Sequence, residues 1–141
     1  MKKQTLLCIT LSLLVGIISI ACSAQEMPSI KVNVPFAFNF DNRPYPSGEY
    51  TFSAMKDNFV LLQRTEYTDP VVVMADTITN PLAGQNAGAA SFQCYDGECF
   101  LAQLRIPGHD GQFQIRRSRT ETQIAGKTTL YLTKMVTTTR Q

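Results

Sequence analysis

The sequence predicts a mainly β, single-domain protein: an antiparallel β-sandwich or small β-barrel of about 7–8 strands with one short C-terminal helix. Three observations carry this expectation. Apolar and polar residues alternate along several short segments, the two-residue period of a half-buried strand. Clusters of Pro, Gly, Asn and Asp separate those segments. One stretch, "SRTE" at Ser118–Glu121, carries a helix-start pattern.

The chain opens with Lys2 and Lys3, followed by the uncharged run "LLCITLSLLVGIISIA" ending at Ala21. A positive start, an apolar run and small residues after it define a secretory signal peptide. The run is about 16 residues, shorter than the roughly 20 that span a bilayer, and no stop-transfer charge cluster follows. Cleavage is expected after "CSA", dividing the chain into a signal peptide, residues 1–24, and a single β domain, residues 25–141. The mature protein is then periplasmic or secreted, with no transmembrane segment after signal removal. The alternative is lipidation of Cys22, although Ser19 stands where a lipobox normally carries a large aliphatic residue.

Signal removal changes the charge. The thirteen basic residues fall to eleven without Lys2 and Lys3, against eleven acidic ones, so the mature net charge is zero. A neutral chain has no general pull toward nucleic acid or anionic membrane. The remaining length, about 117 residues, suits one core.

"IKVNVPFAFNF" places Val32, Val34, Phe36, Phe38 and Phe40 on one face of a strand. Pro35 lacks an N–H and therefore marks a sheet edge or a bulge. "DNRPYPSG" is a turn, and "EYTFSA" alternates again with Tyr50 and Phe52 inward. "NFVLLQR" and "PVVVMAD" are continuous apolar runs, the pattern of strands covered on both faces. "TNPLAGQNAGAA" reads as a mobile loop, and "PGHDG" as a turn before a short "QFQI" strand. In "SRTE" the Ser118 hydroxyl can accept the N–H three residues on while Glu121 reaches back, a capping box. The helix should run from about Arg119 to Ala125, with Gly126 left-handed at its end. "TTLYLTKMV" closes the domain as a strand, and "TTTRQ" reads as a frayed end.

The hairpin "SFQCYDGECFLAQLRI" holds Cys94 and Cys99, the only cysteines after signal removal. Asp96-Gly97 favours a two-residue turn with positive φ at both positions. That register sets Tyr95 opposite Glu98 and Cys94 opposite Cys99 in a non-hydrogen-bonded pair, with Cα atoms about 4.5 Å apart. A disulfide fits this spacing and an exported chain. A structural zinc site needs two further ligands, and the mature chain offers one histidine. A catalytic redox pair usually has two intervening residues at a helix start, not four on a hairpin.

Other candidate residues are few. His109, in its Gly-flanked turn, could act as a general base with Asp110, or serve as a polar turn residue. Arg116, Arg117 and Arg119 could contact phosphate or an acidic glycan, or form a solvated strand end. No phosphate-cradling glycine loop, nucleophile elbow or paired metal motif is present. The sequence therefore assigns no catalytic residue, cofactor or metal ligand.

The stretch "VNVPFAFNFDNRPYPSGEYTF" resembles the N-terminal signature of a family of small exported bacterial all-β proteins of unknown function. The matching residues are Val32, Val34, Pro35, Phe36, Phe38, Pro46, Gly48 and Tyr50. "FQCYDGECFLAQL" is similar to that family's second hairpin and "SRTE" to its Ser-Arg-x-Glu element. The resemblance implies an all-β domain and supplies no catalytic residues. The cysteines around the turn depart from the pattern.

These readings favour an exported non-enzymatic binding or structural module of the cell envelope, with an envelope protein or glycan as partner. The alternative is a small hydrolase or carbohydrate-active enzyme using His109 and neighbouring acids. An outer-membrane barrel is disfavoured by the Gln141 terminus, the absence of Trp and the lack of paired aromatic girdles.

Overall fold

The computed structural model describes residues 27–66, 69–78, 87–109, 111–128 and 131–138. The expected signal peptide, Cys22, residues 79–86 of the small-residue loop, Asp110 and residues 139–141 lie outside the described residues. Among the described residues ten strands run in chain order: β1 Ser29–Val34, β2 Phe38–Phe40, β3 Arg43–Tyr45, β4 Gly48–Ala54, β5 Phe59–Arg64, β6 Val71–Ile78, β7 Ala89–Tyr95, β8 Glu98–Arg105, β9 Gln112–Ile115 and β10 Tyr131–Thr137. The α-helix among the described residues, α1 Arg119–Lys127, precedes the last strand, as expected.

The strands form one mixed sheet with the path β1-β4-β5-β6-β9-β8, continued from β8 through β7 to β10. Hairpin β2–β3 joins β8 through a parallel bridge between Asn39 and Phe100; the other pairings are antiparallel. The sheet curls until β1 lies beside β10. Gly88 permits this approach, because a Cβ there would sit 2.4 Å from Ile30 Cγ2. The mainly β, single-helix expectation holds, with more strands than the expected 7–8.

The two additional strands have local causes. The long alternating segment breaks at Pro35, which cannot donate to a ladder, so β1 ends at Val34 and β2 starts at Phe38. Phe36 lies in that break, half-buried, with its ring 5.2 Å from Phe92. "DNRPY" is a tight hairpin in which Asp41 and Asn42 both take positive φ, 49° and 59°. These are residue types that tolerate the left-handed region.

The inner face follows the alternation. Val32, Val34, Tyr50, Phe52, Val60 and Leu62 are buried from β1, β4 and β5. Phe38 joins them, edge-on to Tyr50 and Phe92 at 5.1 Å each. Three expectations are corrected. β5 and β6 are not covered on both faces, because among the described residues nothing packs outside β6 at Val72 and Met74, which are 49% and 48% exposed. β7 begins at Ala89, inside the stretch read as a loop, where only small side chains fit against β1 and β10. Gly126 is helical, and α1 ends at the next residue, Lys127, with the N–H of the capping Thr128 donating to the Ile124 carbonyl.

Candidate functional site

The cysteine hairpin is built as the turn chemistry requires. Asp96 and Gly97 take φ of 49° and 90°, and Tyr95 pairs with Glu98. Cys94 and Cys99 are directly opposite and bonded, with Cα atoms 3.9 Å apart. Both are buried. A buried disulfide offers no access to an incoming thiolate, so this pair is a clip rather than a redox centre.

The outer face of the same hairpin carries a polar cluster. Ser118 Oγ accepts the Glu121 N–H at 3.1 Å, and the Ser118 N–H bonds back to the Glu121 carboxylate, completing the capping box. That geometry turns the carboxylate inward, leaving Glu121 4% exposed. The Tyr95 hydroxyl donates to Gln93 Oε1 at 2.7 Å and lies 3.4 Å from Glu121 Oε1. Arg117 Nε is 3.8 Å from the same oxygen. Burial pushes the Glu121 carboxyl above its ordinary pKa, against the opposing pull of Arg117, Tyr95 and the Ser118 N–H. Burial likewise raises the Tyr95 phenol, with the Glu121 charge adding to it. The sequence marked Glu121 as a cap but carried no signal that it would be buried.

The three arginines do not form one anion site. Arg116 grips Asp76 through Nε at 3.0 Å and Nη2 at 2.9 Å, which holds the Asp76 carboxyl below its ordinary range. Arg117 turns to Glu121 and Gln93. Arg119 is exposed on the first turn of α1 and makes no ion pair among the described residues.

His109 lies elsewhere, at the far end of β5. Pro107 and Gly108, with Gly108 at φ 84°, form a turn closed by the His109 N–H donating to the Ile106 carbonyl at 3.3 Å. The turn lays the imidazole against Phe113, centroids 4.5 Å apart. Nδ1 is buried without a hydrogen-bond partner among the described residues. The ring forms one wall of an open groove of about 820 Å³. Met27 and Pro28 form another wall, and Ala54, Met55 and Phe59 line the same groove. Its polar residues are Lys56, Asp57 and Asn58, from the 3-10 turn between β4 and β5. Asp57 and Asn58 both take positive φ, and Asn58 Oδ1 accepts the Thr77 hydroxyl at 2.8 Å. Sequence reasoning found His109 but not the groove, whose walls come from three separated segments.

Among the described residues no group of three or more His, Cys, Asp or Glu could hold a metal ion. None of their helices is long and apolar enough to cross a membrane. The fold and site thus define a disulfide-clipped, mainly β domain with a mixed-polarity groove at one end. Comparison with protein-family models, curated proteins and solved structures finds no match to the chain.

Proposed function

We propose that this protein is an exported, non-enzymatic binding module of the cell envelope, working in the periplasm or outside the cell. The observation that carries the reading is the groove beside His109. Its volume, about 820 Å³, falls in the range of ligand sites, and its walls are mostly apolar with a few polar groups at one side. Met27 and Met55 give it an adaptable thioether surface suited to apolar side chains rather than to the hydroxyls of a glycan. The occupant is an apolar stretch of an envelope polypeptide. The buried disulfide supports an oxidising compartment. His109 serves here as a wall, its ring held by Phe113.

A second reading, a small hydrolase or carbohydrate-active enzyme, draws on one observation: Asp57 lines the same groove as His109. One experiment separates the two. A photo-crosslinking residue replaces Met55 in the exporting cell, with Asn33 on the exposed face of β1 as control. The binding reading expects a discrete cross-linked polypeptide from position 55 and none from position 33. In parallel, the mature protein is assayed against nitrophenyl esters and glycosides. Turnover that Asp57→Asn and His109→Ala both abolish would replace the binding reading with the enzymatic one.

A further inference from the structure

A second, smaller pocket of about 340 Å³ lies at the opposite end of β5, between β3 and the start of β6. Tyr45 and Pro44 wall it, Leu62 lies at its base, and Arg43, Arg64 and Asp69 supply its charges. The aromatic wall is held from behind. Tyr45 stacks on Phe38 at 5.5 Å and 17°, and the Tyr50 hydroxyl fixes the following segment by donating to the Pro46 carbonyl at 2.5 Å. Arg64 is held as well: its side chain is 18% exposed, its guanidinium lies 5.9 Å over Tyr50, and it pairs with Glu66 at 3.0 Å. Arg43 differs. It is exposed and makes no ion pair among the described residues, so its charge is available to a ligand.

The geometry points to a binding site for a small organic carboxylate carried on a flat apolar body. A rigid aromatic and proline wall accepts a flat body with little ordering of the protein. A guanidinium at the mouth matches a planar carboxylate by two parallel N–H donors. Asp69 on the same pocket disfavours a doubly charged phosphate. This site is independent of the His109 groove and stands or falls separately from it.

The test is a ¹H–¹⁵N NMR titration of the mature, disulfide-bonded protein with benzoate, its neutral isostere benzamide, and phenyl phosphate. Benzoate should give saturable shifts at Arg43, Tyr45, Leu62 and Arg64 and leave His109 and Phe113 unmoved. Benzamide should bind about tenfold more weakly, the scale of a lost charge-assisted hydrogen bond. Arg43→Gln should weaken benzoate by a similar factor, Arg43→Lys by less, and Asp69→Asn should strengthen it. Both arginine variants alter an exposed residue, and unchanged spectra away from β3 verify their fold. The proposal is overturned by absent shifts at these residues, by equal binding of benzoate and benzamide, by phenyl phosphate binding more tightly than benzoate, or by wild-type affinity in Arg43→Gln.

Discussion

Strand β6 and the β7–β8 hairpin carry apolar sequence and meet opposite fates. β6 holds Val71, Val72, Val73 and Met74 in succession, yet alternate positions face solvent. β7 and β8 mix Ser, Gln, Cys and Glu among their apolar residues, yet bury side chains on both faces. The difference lies in the neighbours. Outside the hairpin, α1 brings Glu121 against Tyr95, and Tyr95 packs near Phe100 and Tyr131, at 6.1 Å and 6.2 Å between centroids. Among the described residues there is no such layer outside β6 at Val72 and Met74. Burial is thus set by what the topology lays over a strand, and hydropathy of the strand itself does not decide it.

The sharpest way to break this comparison is to truncate matched positions. Phe92 is fully buried in β7 against Phe36 and Phe38. Phe92→Ala and Phe38→Ala should each destabilise by about 3–5 kcal/mol in urea denaturation, the range for a buried aromatic. Val72→Ala, on the more apolar strand, should change stability by less than about 0.5 kcal/mol. Comparable losses at Phe92 and Val72 would mean that β6 is covered in solution.

Opening the hairpin's clip comes next. Reduction of Cys94–Cys99 should lower stability by about 2 kcal/mol, because the closed loop is short, and leave the β circular-dichroism signal in place. Gly97→Val should cost a similar amount, about 1–3 kcal/mol, since φ of 90° is strained for a β-branched residue. Smaller again is the cap that holds the outer layer. Ser118→Ala removes the acceptor for the Glu121 N–H and should cost about 1 kcal/mol.

The pH dependence sharpens the same contrast. Glu121 has its folded pKa raised by burial, so folding favours the protonated carboxyl. Its contribution is greatest below the ordinary glutamate range and declines as pH rises through the elevated folded value. Asp76, beside β9 on the exposed strand, is shifted downward by Arg116, so its contribution is present above the ordinary aspartate range and is lost as pH falls through the folded value. Urea midpoints measured on both sides of the carboxylate range should show Glu121→Gln flattening the decline on the neutral side. Asp76→Asn should produce the smallest change of the set, because both partners of that ion pair are solvent-exposed and screened.

Much of the hairpin region was legible in the sequence, and the reason is locality. Asp96-Gly97 fixes register within its own two residues, and that register alone sets Cys94 against Cys99. Ser118 and Glu121 cap each other three residues apart. The alternation at Val32, Val34, Tyr50 and Phe52 reports the core face directly. What was missed depends on distant partners or on weaker turn chemistry. The β2–β3 hairpin was hidden because Asp41-Asn42 lacks the glycine that makes such turns conspicuous. The exposure of Val72 and Met74 depends on which described elements lie over β6, and no window of "PVVVMAD" contains that information. The groove draws on Met27, Met55 and His109, and the second pocket on Arg43, Arg64 and Asp69, sets that only the folded sheet brings together.

The most direct measurement is mass spectrometry of the protein recovered from the cell without reduction and alkylated in denaturant, so that the buried Cys94 and Cys99 are accessible to the reagent. The expected result is a chain that begins at Gln25, carries no alkylated thiol, and gives on tryptic digestion one peptide bridged internally through Cys94 and Cys99. Two alkylated thiols in the denatured, unreduced protein would contradict this, because the β7–β8 hairpin would then stand without its clip.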